Sequence, residues 1–427
     1  MKFYSTRNSK VSFTLREAVI HGLAPDGGLF MPATIPVLPA SFIRELSKYD
    51  QQTIAYEIAS FFLKEDFSSS EIHDLVAHTV SFPVPLVQIH ESVFSLELFH
   101  GPTLAFKDFG ARFLSGLLSK FAETNDQETT VLVATSGDTG SAVAHGFYNV
   151  PGTRVVVLYP SGKVSELQEK QFTTLGGNIK ALEVDGTFDD CQRLVKQAFA
   201  DENLRRGLSL TSANSINIAR LLPQSFYYLF GAAQAPRHLP LIFSVPSGNF
   251  GNLTAGVLAQ RMGLPIHQFL AATNRNDVVP SYLKTGSYQP RPSLPTISNA
   301  MDVGNPSNFD RLVNLFGSWE DMTNKIKGYA YSDEETKQIL LAIFEQHRYI
   351  LDPHGAVGYL AVREYQRSNP SCTYIFLETA HPAKFKEVVE AQIGSIEIPS
   401  RLQELSDRQK KSIKIPAEYD VFRQWLA

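Results

Sequence analysis

The residue in this chain best suited to covalent chemistry is Lys107, in the run His100-Gly-Pro-Thr-Leu-Ala-Phe-Lys107-Asp-Phe-Gly. Leu104-Ala105-Phe106 draws its stem inward and makes the neutral amine easier to reach, and such an amine can form a Schiff base. The same pattern suits a lysine whose stem is buried while its ammonium snorkels to water. Four further segments carry polar groups in usable patterns. Ser247-Gly248-Asn249-Phe250-Gly251-Asn252 follows an apolar run and opens a helical one; its glycines let successive N–H groups converge at a helix start, a setting for phosphate. It matches neither G-x-G-x-x-G nor a P-loop, and a plain strand-to-helix turn has a similar composition. Thr135-Ser136-Gly-Asp138-Thr139-Gly offers hydroxyls and N–H groups to an anion such as a carboxylate, with Asp138 equally suited to an N-cap. Asn214-Ser215-Ile-Asn-Ile-Ala-Arg220 sets amide, hydroxyl and guanidinium over two helical turns, fit to clamp a phosphate or to form a helix with one solvated arginine. Thr379, in Glu378-Thr379-Ala-His-Pro, ends the last strand pattern, where its hydroxyl faces a cleft or its branched side chain fills a sheet.

These groups need a scaffold, and from about Thr129 short β-rich runs alternate with helical patterns, as in parallel sheets covered by helices. The expected strands are Thr130–Ala134, Thr153–Tyr159 and Ile179–Val184, then Leu241–Val245, His267–Ala271 and Thr373–Leu377. Helical spacing marks Ala111–Phe121, Ser141–Tyr148, Val164–Leu175, Phe188–Phe199 and Leu253–Met262, so Lys107 is expected in a turn leading into a packed helix. Two such series predict two α/β domains with a ligand cleft between them. Residues 1–85 alternate less regularly and read as a mainly helical cap; 86–228 and 229–427 are the expected small and large domains. Asn274–Asn308, rich in Pro, Ser and Asn, reads as a long surface excursion.

The 427 residues, 43% hydrophobic and 19% charged, suffice for two or three domains. A net charge of −4, without Lys/Arg runs interleaved with aromatics, argues against nucleic acid and for small polar ligands. Cys191 and Cys372 stand apart without CxxC spacing, which fits a reducing compartment, and the 11 histidines include no HExxH pair, which disfavours metal catalysis. No apolar stretch approaches the roughly 20 residues needed to span a bilayer, and the start lacks an apolar leader, so a cytoplasmic protein is expected.

Taken together, HGPTLAFKDFGARF, ATSGDTGSAVAH, SANSINIARL, SVPSGNFGNLTAG, SNAMDVGNPSNF and ETAHPAKF resemble the threonine synthases, fold-type II enzymes dependent on pyridoxal 5′-phosphate. The resemblance runs from Gly22-Leu-Ala-Pro-Asp-Gly-Gly-Leu-Phe to Phe385, in the expected order. It implies two doubly wound open-sheet domains of the tryptophan synthase β-like architecture. It also implies that Lys107 carries the cofactor and transfers protons, that Gly248, Asn249, Phe250, Gly251 and Asn252 hold the cofactor phosphate, and that Thr379 faces the pyridine nitrogen. Thr135, Ser136 and Thr139 align with the substrate-carboxylate turn. Asn214, Ser215 and Arg220 align with the substrate-phosphate contacts. Asp138 falls where many relatives carry Asn beside the cofactor 3′-oxygen, and Asp cannot supply that amide donor. The implied reaction takes O-phospho-L-homoserine and water to L-threonine and phosphate, in a monomer or homodimer. The competing readings are a phospho-lyase releasing 2-oxobutyrate and a non-catalytic ligand-binding relative.

Overall fold

The six expected strands all form, and five that periodicity left unmarked complete their sheets. The computed structural model describes residues 1–122 and 128–427. Its contacts divide the chain into two compact units, each built from discontinuous stretches. The first holds Met1, Met31–Phe106 and Leu221–Glu397; the second holds Lys2–Phe30, Lys107–Arg220 and Ile398–Ala427. This differs from the consecutive stretches 1–85, 86–228 and 229–427, because sheet pairing gathers strands from distant parts of the chain.

In the first unit a six-stranded sheet runs in the order Ile326–Ala330, Ile266–Thr273, Leu241–Pro246, Thr373–Glu378, Val93–Glu97, Leu86–His90. Its pairs are parallel except the last, an antiparallel edge. Leu241–Pro246 and Thr373–Glu378 are buried almost throughout, as strands covered on both faces must be, so they read as continuous apolar runs. The excursion over 274–308 is not wholly irregular. It contains the helix Val278–Thr285, and the Asn274 amide donates to Thr296 Oγ1 (2.8 Å) and Asp302 Oδ1 (2.9 Å), tying its ends together.

The second unit carries an all-parallel five-stranded sheet ordered Ile413–Pro416, Ile179–Asp185, Thr153–Pro160, Thr129–Ala134, Ser209–Ser212. Ile413–Pro416 is four residues long and mostly exposed, too short to show a period. Buried Leu132, Val156, Leu158, Leu182 and Val184 pack there with Leu194, Val195 and Phe422. Among the first 85 residues helices predominate, with Lys2–Ser5 and Asn8–Thr14 added as an antiparallel pair.

Candidate active site

In the second unit, strand Thr129–Ala134 ends in the turn that starts the helix Asp138–Gly146. Thr135 Oγ1 accepts the N–H groups of Gly137 (2.9 Å) and Gly140 (2.7 Å) and donates to Gly137 O, so this hydroxyl is spent shaping the turn. Gly137, not Asp138, is the N-cap: its φ of 140° is open to glycine alone. Asp138 is the first helical residue, and its carboxylate turns inward, with Oδ1 accepting Gln168 Nε2 (2.8 Å) and Oδ2 lying 3.6 Å from Lys107 Nζ. Half-buried Ser136 and Thr139 make no side-chain hydrogen bond among the described residues, leaving two hydroxyls at a helix start. That setting suits a carboxylate.

Lys107 is the first residue of the helix Lys107–Ala122 rather than part of a preceding turn. Its side chain is 16% exposed, so the ion pair with the 3%-exposed Asp138 is screened little by solvent. The helix is held by buried Phe109, Phe113, Leu114, Leu117, Leu118 and Phe121.

Following strand Ser209–Ser212, Asn214 uses its amide on the backbone of Ala134, donating to O (2.8 Å) and accepting N–H (3.2 Å). It thereby ties its own loop to the end of strand Thr129–Ala134. Ser215 sits half-buried in that loop. Arg220, in the short helix Ile218–Leu221, is 4% exposed and donates from Nη1 to Ala213 O at 2.7 Å. Burial pushes its pKa down to about 10, partly offset by buried Asp108, and the guanidinium stays protonated at neutral pH. It is a desolvated cation, not the solvated arginine of an exposed helix face.

In the first unit, strand Leu241–Pro246 leads into the helix Gly251–Arg261. Phe250 takes a left-handed conformation (φ 61°, ψ 14°) at the N-cap. The Asn252 side chain closes the turn, donating to Pro246 O (2.7 Å) and accepting from Ser247 Oγ (2.9 Å). Asn249 is spent the same way: its side-chain oxygen accepts Ser307 N–H and its carbonyl accepts Asn308 N–H, both at 3.2 Å. A Cβ on Gly248 would lie 2.8 Å from Ala300 O and Met301 Cα, so only glycine lets the two backbones approach. The backbone N–H groups of residues 248–252 have no acceptor among the described residues. Consecutive orphan donors at the start of an 11-residue helix form an anion cradle, and they fit the phosphate of pyridoxal 5′-phosphate.

Also in the first unit, Thr379 follows strand Thr373–Glu378, 6% exposed, with its carbonyl accepting Phe106 N–H at 2.9 Å. Its hydroxyl makes no internal bond among the described residues. Three residues behind these groups escaped the sequence reading. Gln168, 1% exposed, lies in a helix with no polar motif. Asp352 and His354 open the helix Pro353–Gln366 with an Asp N-cap and Pro at N1, a signature that shows the helix start but not its burial.

A lysine held in a largely buried setting, a run of unpaired main-chain donors at a helix start and sheets wound with helices are features of the pyridoxal-phosphate-dependent enzymes, and the family model for "Pyridoxal-phosphate dependent enzyme" matches residues 82–375. Those for "Threonine synthase N terminus" and "Threonine synthase, C-terminal" match residues 2–80 and 355–425. The chain belongs to the threonine synthase family. It is 46% identical to the threonine synthase of Escherichia coli strain K12, over 100% of this chain and 99% of that protein. It is 35% identical to that of Saccharomyces cerevisiae, over 96% and 94%. The crystal structure of the E. coli enzyme matches at a TM-score of 0.95 (45% identity, 100% and 99% covered). The pyridoxal-phosphate-bound threonine synthase of Brucella melitensis matches at 0.92 (34% identity, 100% and 98% covered). The protein is a lyase dependent on pyridoxal 5′-phosphate, and no helix among its described residues is long and apolar enough to cross a membrane.

Proposed function

We propose that this protein converts O-phospho-L-homoserine and water to L-threonine and phosphate. The observation that supports the reading most is the run of main-chain N–H groups at residues 248–252 without acceptors among the described residues, which would take one of the two phosphates the reaction requires, the buried guanidinium of Arg220 with Ser215 being assigned to the other. Bound pyridoxal 5′-phosphate supplies the electron sink. Lys107 would carry it and would move the proton at Cα and then at Cβ. Asp138 holds the Lys107 ammonium and would stand beside the cofactor 3′-oxygen. Gly248, Asn249, Phe250, Gly251 and Asn252 would hold the cofactor phosphate through N–H groups, the side chains of Asn249 and Asn252 being engaged elsewhere. Thr379 would present a neutral hydroxyl to the ring nitrogen and, unlike a carboxylate, would not favour its protonation.

Ser136 and Thr139 bind the substrate carboxylate, on a turn whose shape Thr135 fixes. Arg220 and Ser215 receive the substrate phosphate, while Asn214 fixes their loop to Ala134. The Cγ–O bond breaks with release of phosphate, a proton is added at Cγ, and water adds at Cβ with return of a proton to Cα. We place the protein in the cytoplasm, where its two buried thiols, Cys191 and Cys372, stay reduced.

The test is incubation of the purified protein with O-phospho-L-homoserine while phosphate, threonine and 2-oxobutyrate are measured together. Threonine equal to phosphate is expected. Stoichiometric 2-oxobutyrate would replace the synthase with a phospho-lyase, and the absence of any product would leave a binding protein.

A further inference from the structure

Asp352, His354 and Glu378 are 0%, 2% and 0% exposed, an unusual concentration of ionisable groups in a core. Their bonds run in one direction through the first unit. Thr379 is bracketed by residues tied to Asp352: Glu378 Oε1 accepts Asp352 N–H, and Ala380 N–H donates to Asp352 Oδ2 at 3.4 Å. Asp352 Oδ1 meets His354 Nδ1 at 2.5 Å. His354 Nε2 in turn accepts Ala300 N–H at 3.2 Å, which assigns the ring proton to Nδ1, facing Asp352. Ala300 O is the backbone atom against which Gly248 packs. A continuous path therefore joins Thr379 to the turn at residues 248–252. Burial, with the Asp352 charge added, pushes the Glu378 carboxyl well above its ordinary range.

We propose that His354, oriented by Asp352, is a positioning residue that holds the Ala300 backbone against Gly248 and so sets the distance between Thr379 and the phosphate cradle. The inference rests on the cradle being the cofactor-phosphate site, as proposed above. Loosening the brace displaces the turn while Thr379 keeps its other anchors. Recognition of the phosphate falls, and recognition of the pyridine ring does not.

The test titrates cofactor-stripped protein with pyridoxal 5′-phosphate and with pyridoxal, which lacks the phosphate, following absorbance. His354→Asn keeps a donor for Asp352 but is too short to reach Ala300; His354→Gln keeps an acceptor near the Nε2 position. The expected result is that His354→Asn loses about tenfold of the parent's preference for the phosphorylated aldehyde, the scale of one buried hydrogen bond. His354→Gln retains that preference within about twofold. Equal weakening towards both aldehydes in His354→Asn, or an unchanged preference, overturns the proposal. So does loss of preference in His354→Gln as large as in His354→Asn. Should His354→Asn fail to fold, Asp352→Ala, which removes the acceptor that orients the imidazole, carries the same comparison and the same expected loss. A parent protein without any preference removes the cradle reading itself, and this inference with it.

Discussion

Lys107 Nζ lies 3.6 Å from Asp138 Oδ2, while Gln168 Nε2 donates to Oδ1 of the same carboxylate at 2.8 Å. The carboxylate thus engages the amine proposed above to carry the cofactor. Asp138→Asn removes the ionic partner and keeps the side chain's shape. Cofactor uptake by stripped protein should become about fivefold faster, as expected for losing an interaction of about 1 kcal/mol. Stopped-flow absorbance measures this, and an unchanged or slower rate would show that the pair does not restrain Lys107.

Gly248→Ala places a methyl group 2.8 Å from two backbone atoms, Ala300 O and Met301 Cα, which cannot swing aside as a side chain does. Overpacking of this kind costs about 1–3 kcal/mol, so the cofactor dissociation constant should rise about tenfold or more. Equilibrium titration checks it. Unaltered affinity would remove the turn from the cofactor site.

For Arg220→Ala, a desolvated cation and its bond to Ala213 O are lost together. The KM for the phosphorylated substrate should rise at least about tenfold, while cofactor absorbance is retained. Urea unfolding should show a loss of about 2–4 kcal/mol from the vacated volume. Arg220→Lys should not restore KM, because an ammonium lacks the planar fork of donors. Loss of cofactor with normal KM would mean that the two anion sites are exchanged.

Glu183, on strand Ile179–Asp185 and 5% exposed at its side chain, ties the C-terminal segment to the second unit through Lys410 and Lys414. Burial alone would raise its pKa, but the Lys410 and Ser161 hydrogen bonds and both lysine charges outweigh it and hold the carboxyl down to about 2. A lowered carboxyl pKa stabilises the fold above the unfolded value of 4.5 and is lost as pH falls from there towards 2. Glu183→Gln should therefore cost about 2 kcal/mol at neutral pH, with the difference from the parent shrinking below about pH 4.5. Urea unfolding at several pH values measures this, and a difference independent of pH would mean that the pairing carries no net stabilisation.

How much was legible follows from where the chain keeps its information. Strands such as Leu241–Pro246 and Thr373–Glu378 are buried on both faces, so their apolar runs announced them. Ile413–Pro416 and Ile326–Ala330 are short, and pairing rather than pattern makes them strands. Lys107 and the glycine turns could be found because their chemistry is local. The engagement of Thr135, Asn214 and Asn252 with neighbouring backbone could not, since their type fits ligand contact and turn closure equally. Asp352 and His354 were hidden for a different reason. An N-cap signature shows only that a helix begins, whereas their burial depends on strand Thr373–Glu378 and the Ala300 backbone, reached only through tertiary packing.

The central claim is that a carbon–oxygen bond breaks at Cγ and solvent water adds at Cβ, and turnover in ¹⁸O-labelled water tests it most directly. The threonine hydroxyl should carry the label, while the phosphate, which leaves with the bridging oxygen, should remain unlabelled at early time points. Labelled phosphate formed together with unlabelled homoserine would reveal cleavage at phosphorus, and would contradict the account.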